Sequence, residues 1–292
     1  MIRFDYKKPA SLEECLSLLD FYQEKARLFA GGTDLMVEFR ADDKKLKDVE
    51  VVLDISKLSK LKTIKSDEEL ISIGAASTFS EIINNSALEK YAPFFIEACR
   101  TVGSPQIRNT GTIGGSIGTA SPASDPCPPL VAMDSVLTLK SVNGEREVLL
   151  SDFIEGAYRT KIKPDELIKS IKFKKLKPEA GFSFVKLGRR KALAIARMNV
   201  AAYVQTGEDG IVTDARIVPG SATPITIRIT DAENMLLGET PSYELHEAVG
   251  KKVSQKMIEI TGTRWSTPYK EPVIASLVKR ALNEATGVKE NE

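Results

Sequence analysis

Asn109-Thr110-Gly111-Thr112-Ile113-Gly114-Gly115-Ser116-Ile117-Gly118-Thr119-Ala120-Ser121-Pro122-Ala123-Ser124-Asp125 combines four glycines and a series of hydroxyl side chains with no cationic residue. Glycine lets the backbone adopt φ > 0 and lets another group approach where a Cβ would clash. Successive N–H groups turned to one side make an anion-binding concavity without Lys or Arg, and Ser and Thr hydroxyls can donate to the same anion. The stretch therefore reads either as a cradle for a diphosphate or as a run of tight turns.

A shorter glycine turn far upstream, Gly31-Gly32-Thr33-Asp34, shifts the balance. It follows the apolar run Arg27-Leu28-Phe29-Ala30 and precedes a helical pattern from Leu35 to Phe39, with Thr33 or Asp34 available as a cap. Strand, glycine turn and helix N-terminus is an arrangement that sets backbone N–H groups beside an anion. Two such turns about 80 residues apart could clamp one diphosphate from both sides.

The remainder of the chain narrows the function classes. At 292 residues it can bury a sizeable core, and 42% apolar with 28% charged residues is ordinary globular composition. Lys+Arg 41 against Asp+Glu 40 leaves almost no net charge, with no basic block or aromatic platform for nucleic acid. The opening residues lack a signal-peptide core and no segment approaches a membrane span, so the expectation is a soluble cytoplasmic protein. Cys15, Cys99 and Cys127 form no CxxC pair, which gives no support to a zinc or iron–sulfur site; no metal ligand is assigned. His246 is the one histidine and reads as an ordinary residue of an amphipathic surface helix.

Along the chain, Ser11-Leu12-Glu13-Glu14 is a capping box opening a helix that ends near Lys25, and Glu50 to Asp54 is a strand closing a small α/β unit by about residue 55. Leu61–Ile64 and Glu69–Gly74 read as strands, Thr78-Phe79-Ser80-Glu81 as a second capping box, and 87–100 as one amphipathic helix. Asn143-Gly144 between apolar runs is a strong hairpin signal, and Leu167–Phe173 is a further strand. A boundary is placed near 178, after the basic segment Lys172–Lys177. Beyond it come strands near 181–187, 192–205 and 211–217, a capping box at Thr230, and helices from Ser242 to about Ile260 and from Glu271 to about Ala285; the terminal GVKENE reads as frayed. Strands followed by helices, without strict βαβ alternation, argue α+β.

The strings themselves carry a resemblance. Ala30 to Leu35, Gly103 to Asn109, Thr112-Ile113-Gly114-Gly115, Ser121 to Asp125, Lys186 to Arg190 and Ala192 to Asn199 resemble the FAD-binding subunit of molybdenum-containing hydroxylases, the xanthine and carbon monoxide dehydrogenase family. The resemblance spans nearly the whole chain. It implies an FAD-binding domain at 1–177, made of a small α/β unit (about 1–55) and a mixed-sheet α+β unit (56–177). A smaller C-terminal α+β domain with a three-stranded antiparallel sheet would follow at 178–292. It further implies that Ala30, Gly31, Gly32, Thr33 and Asp34 wrap the FAD pyrophosphate, with Leu35 packing near the cofactor. Gly111, Thr112, Ile113, Gly114 and Gly115 would form the other side of that cradle, Thr112 donating its hydroxyl. Ser121 belongs to the Asp125 motif, and Asp125 would bond the ribityl chain, since a carboxylate suits a polyol. Val102 and Ile168 would lie against the isoalloxazine, and Lys186 near its polar edge, where a cation could stabilise reduced, anionic flavin. Ser116 stands where relatives usually have Asn, and Cys127 has no assigned role beyond that of a small buried residue.

The function implied is an electron-transfer flavoprotein subunit without catalytic residues of its own. Its partners would be a molybdenum-cofactor large subunit and a 2Fe–2S small subunit, with NAD as a possible electron acceptor, and its substrate class leans toward purines or N-heterocycles. The alternatives are a self-contained FAD-dependent oxidoreductase, which the lone His246 does not favour as a covalent flavin anchor, and a non-enzymatic binding domain.

Overall fold

The computed structural model describes residues 3–190 and 192–289, so the end of the tail read as frayed, from residue 290 on, lies outside the described residues. Two compact units are interleaved along the chain. The first comprises the residues up to Asn84, Ser104–Ala120 and Ser135–Lys174; the second comprises Asn85–Gly103, Ser121–Asp134 and the residues from Lys175 on. The cut after Lys174 lies beside the boundary expected near 178, while 85–103 and 121–134 group with the later residues.

The first unit opens with a parallel sheet of β1 (Asp5–Lys7), β2 (Ala26–Phe29) and β3 (Val51–Asp54), ordered β1-β3-β2. The central strand is buried along its length, which is why its sequence is a continuous apolar run. Ser11 caps the Leu12–Tyr22 helix by accepting the Glu14 N–H, and Leu12, Cys15, Leu16 and Leu19 bury their stripe with Val51 and Leu53. A short 3-10 turn, Gln23–Lys25, ends the segment. Strand β1 has no apolar pattern to reveal it; its residues are half-exposed or exposed and are held by the parallel pairing to β3.

A five-stranded sheet follows, with β4 (Ile64–Ser66), β5 (Leu70–Gly74), β6 (Val136–Ser141), β7 (Gly144–Leu149), a small separate hairpin of β8 (Ile154–Gly156) and β9 (Arg159–Thr160), and β10 (Leu167–Lys174). Its order is β4-β5-β10-β6-β7, and every neighbouring pair is antiparallel, a more regular sheet than the mixed one expected. The hairpin at Asn143-Gly144 forms with Ser141 opposite Gly144. The strand read from Leu61 begins only at Ile64; Ser59–Leu61 is a 3-10 turn whose Leu61 is fully buried and whose carbonyl takes the Ala76 N–H. Thr78 and Glu81 complete a reciprocal capping box.

The second unit is built on β11 (Gly181–Gly188), β12 (Ala196–Thr206) and β13 (Val212–Gly220), an antiparallel sheet in that order. Strand alternation sends Val185, Met198, Val200, Ala202 and Val204 into a core with the terminal helices Tyr243–Thr261 and Thr267–Thr286. The opposite face receives Phe94, whose ring packs on Phe182 as Phe182 packs on Tyr203, and the Cys127–Ala132 helix, whose Ala132 carbonyl accepts from Arg216.

Three local readings are corrected. The helix expected over 87–100 is two, Ser86–Tyr91 and Pro93–Arg100, because Pro93 cannot continue the first and suits the first turn of the second. Thr230 does not cap; Ile229 stands at that position, and Glu233, buried, takes the Ile217 N–H and the Arg228 guanidinium. His246 is fully buried, its Nδ1 2.6 Å from Asn283 Oδ1, and burial holds its imidazole below the ordinary value. Among the described residues no helix is long and apolar enough to cross a membrane.

Candidate functional site

The two glycine motifs meet within the first unit. After β2 the chain turns through Ala30-Gly31-Gly32-Thr33-Asp34 into the Leu35–Arg40 helix. Gly32 has φ +66°, the left-handed conformation that favours glycine. The carbonyls of Gly32 and Asp34 accept from Met36 and Glu38, whereas the N–H groups of Gly31, Gly32, Thr33 and Asp34 donate to no acceptor among the described residues. Asp34 makes no side-chain cap; its carboxylate accepts from the Thr119 hydroxyl at 3.0 Å. A Cβ on Gly31 would fall on the Thr110 carbonyl, so this glycine exists for contact with the second motif. Leu35 is half-buried and packs on the cluster of Phe39, Leu46, Val49 and Val52.

The second motif is helical. Ser104 caps the Pro105–Thr110 helix, Gly111 interrupts, and Thr112 caps the Ile113–Thr119 helix by accepting the Gly115 N–H at 3.2 Å. Its N–H groups are occupied internally: Gly111 to Ile107, Ile113 to Ser77, Gly114 to Ala75 and Ser116 to Thr112 carbonyls. The N–H cradle expected over Gly111 to Gly115 is thus corrected for Gly111, Ile113, Gly114 and Gly115, whose donors are used by helix formation and by docking onto residues 75–77, while the Thr112 N–H meets no acceptor among the described residues. A Cβ on Gly114 would lie 2.5 Å from the Ala75 Cβ, which makes Gly114 a packing residue. Gly115 and Gly118 are exposed; an added Cβ at Gly118 has Ile168 Cδ1 nearest, at 4.0 Å, and one at Gly115 would press on the Thr112 Oγ1 at 3.0 Å, a side-chain atom and not backbone. Ile168 itself is buried on β10. Open N–H groups at one motif and bare, Cβ-free surface at the other fit a diphosphate-bearing cofactor.

The second unit contains its own cluster. Lys186 on β11, Asn199 on β12 and Gly220 on β13 stand opposite one another across the sheet. Asp125, 6% exposed, is reached from that row: Lys186 Nζ lies 2.5 Å from its Oδ2 and Asn199 Nδ2 donates to its Oδ1 at 3.0 Å. Lys186 also donates to the Thr101 carbonyl at 3.2 Å, next to half-buried Val102. Burial raises the Asp125 carboxyl above its ordinary value, opposed by the Lys186 ammonium and by hydrogen bonds from Lys186 and Asn199. Ser121 serves its own turn, its hydroxyl accepting the Ala123 N–H and its carbonyl the Ser124 N–H. Cys127 is buried, and burial pushes its thiol up to about 11. Asn199 was not singled out by sequence, although one signal was there: an amide inside the buried run Met198-Asn199-Val200-Ala201.

Residues 2–173 match a family model described as the FAD binding domain in molybdopterin dehydrogenase, and residues 183–285 one described as the CO dehydrogenase flavoprotein C-terminal domain. The chain is 32% identical to the nicotinate dehydrogenase FAD-subunit of Eubacterium barkeri, over 95% of its own length and 94% of that protein's. It is 28% identical to the carbon monoxide dehydrogenase medium chain of Hydrogenophaga pseudoflava, over 97% of each. Among solved structures, a chain of the carbon monoxide dehydrogenase from Hydrogenophaga pseudoflava matches with a TM-score of 0.90 at 27% identity, covering 98% of this chain and 99% of that one.

Proposed function

This chain belongs to the FAD-binding medium subunits of the molybdenum hydroxylase family, oxidoreductase flavoprotein subunits, and we propose that it relays electrons in a complex whose substrate chemistry takes place on another chain. The observation that carries this reading is the row of open N–H groups at Gly31, Gly32, Thr33 and Asp34, locked against the second glycine motif through Gly31 and the Asp34–Thr119 bond. Bound FAD supplies redox chemistry, accepting and releasing electrons singly or in pairs, while the protein contributes binding, orientation and tuning.

The four open N–H groups would bind the pyrophosphate. Thr33 can add its hydroxyl, and Gly115 and Gly118 leave surface that a phosphate can approach. Asp34 turns its carboxylate to the Thr119 hydroxyl and not to an N–H of its own turn. Asp125, with Lys186 and Asn199 fixing one oxygen each, keeps lone pairs free for ribityl hydroxyls, and Val102 and Ile168 take the apolar ring contacts. Lys186 carries the positive charge assigned to the ring's polar edge. The proposed partners are a large subunit with the molybdenum cofactor and a small 2Fe–2S subunit, with NAD as acceptor and a purine or N-heterocycle as the substrate of the assembly.

Purifying the full chain and recording its visible spectrum tests the reading. A flavin spectrum is expected, with a large and a small subunit co-purifying from the native source. Colourless protein that takes up no added FAD would overturn it, and a yellow protein that purifies alone and turns over substrate unaided would replace it with a self-contained oxidoreductase.

A further inference from the structure

We infer that Asn199 is a positioning residue for Asp125, holding the carboxylate in the orientation in which it accepts hydrogen bonds from the cofactor; the inference rests on the FAD-binding reading above. Asn199 is 0% exposed, and its amide faces a carboxylate that can only accept, which fixes Nδ2 toward Asp125 Oδ1 and leaves Oδ1 pointing away. That Oδ1 has no hydrogen-bond partner among the described residues. A buried acceptor without a donor is costly, so packing alone favours an apolar side chain at this point of β12. The neighbouring residues Met198, Val200 and Ala201 are of that kind.

The surroundings are shaped to admit the amide. Gly220 lies opposite on β13, where a Cβ would collide with Asn199 Oδ1 and come within 2.7 Å of Pro128 Cγ. On the other side Lys186, opposite on β11, takes the second carboxylate oxygen. Asp125 is thereby gripped at both oxygens by two adjacent strands, so the carboxylate plane cannot rotate without breaking one bond. Buried ion pairs seldom stabilise a fold more than apolar replacements of similar volume would. A three-part buried polar set that leaves one acceptor stranded is therefore explained by the task of presenting Asp125.

FAD titration of the full-length apo chain by flavin fluorescence, combined with the thermal midpoint of the apo form, tests this in a double-mutant cycle. Asn199→Leu is expected to weaken FAD binding on the order of 10-fold, to lower the apo midpoint as well because Asp125 Oδ1 loses its buried donor, and to have no further effect on FAD binding in an Asp125→Ala background. An equal loss in both backgrounds would overturn the inference, as would a fall in the apo midpoint with no change in FAD affinity. Should the leucine variant fail to fold, Asn199→Ser, which shortens the side chain into the same socket, carries the same comparison. The failures separate cleanly: wild-type chain that binds no FAD sinks the FAD reading, whereas Asp125→Ala weakening FAD while Asn199→Leu does not sinks only the role of Asn199.

Discussion

Gly31-Gly32-Thr33-Asp34 and Thr112-Ile113-Gly114-Gly115 resemble each other in composition but differ in what they leave unpaired. The first is an irregular turn whose four consecutive N–H groups meet no acceptor among the described residues; the second begins a helix and gives the donors of Ile113, Gly114 and Gly115 to Ser77, Ala75 and Thr112. Their glycines divide differently again. Gly31 and Gly114 are small because backbone or a methyl group presses against them, whereas exposed Gly115 has only the Thr112 hydroxyl beside it. A glycine-rich string therefore combines two jobs, interlocking the chain and baring a surface, and only the second concerns a ligand.

Substitution at the interlocked glycines has the largest expected effect. Gly31→Ala drives a Cβ into the Thr110 carbonyl, a backbone atom that cannot swing aside. The expected loss is about 3 kcal/mol of stability, the upper end of the usual overpacking range, read as a lowered thermal midpoint of the apo protein, with FAD retention lost as a consequence. A Gly31→Ala protein with an unchanged midpoint would show that the two motifs do not press together.

Gly115→Val separates the second job from the first. Its nearest neighbour is a hydroxyl at 3.0 Å rather than backbone, so the apo midpoint should move by no more than about 1 kcal/mol, within the helix-propensity range. FAD retention, measured as the flavin-to-protein absorbance ratio, should be abolished. Stoichiometric flavin in this variant would remove Gly115 from the cofactor's path and leave the turn at 31–34 to bind the pyrophosphate alone.

These contrasts explain what was legible beforehand. The Thr78 capping box, the Asn143-Gly144 hairpin and the strands of the C-terminal sheet follow from local rules and form, whereas at Ser11 only half of the box forms, the Glu14 carboxylate accepting from the Ala10 N–H instead of the Ser11 N–H. Strand β1 was invisible because parallel pairing, not its own pattern, holds it. The Thr112–Gly115 segment was read as a cradle because its glycines suggested open donors, yet whether a donor is open depends on Ser77 and Ala75, more than 30 residues away in sequence. Asn199 was hidden for the same reason: its meaning comes from Asp125 and from Gly220, its neighbour on the adjacent strand.

A smaller effect is expected at Asp125, which contrasts with both glycine motifs in relying on charge. Asp125→Ala leaves the Lys186 ammonium and the Asn199 amide without their acceptor and removes the group offered to the ribityl hydroxyls. FAD affinity should fall by about 1–3 kcal/mol, the range for stranding hydrogen-bonded partners, as measured by titration. Unchanged affinity would confine this cluster to a structural role and leave the first unit as the sole determinant of binding.

The smallest expected effect falls at Thr112, where the two jobs overlap in one hydroxyl. Its oxygen accepts the Gly115 N–H as the helix cap, while its proton remains available to a phosphate. Thr112→Val keeps the branched shape and deletes only the hydroxyl. Loss of the cap should cost about 1 kcal/mol in the apo thermal midpoint, moderated because exposed Gly115 can turn its N–H to water. If the hydroxyl also donates to the pyrophosphate, FAD affinity falls as well, and by more than the stability loss transmits to binding. If affinity holds while the midpoint drops, Thr112 is a cap alone, and the second motif contributes to the cofactor only its bare glycine surface.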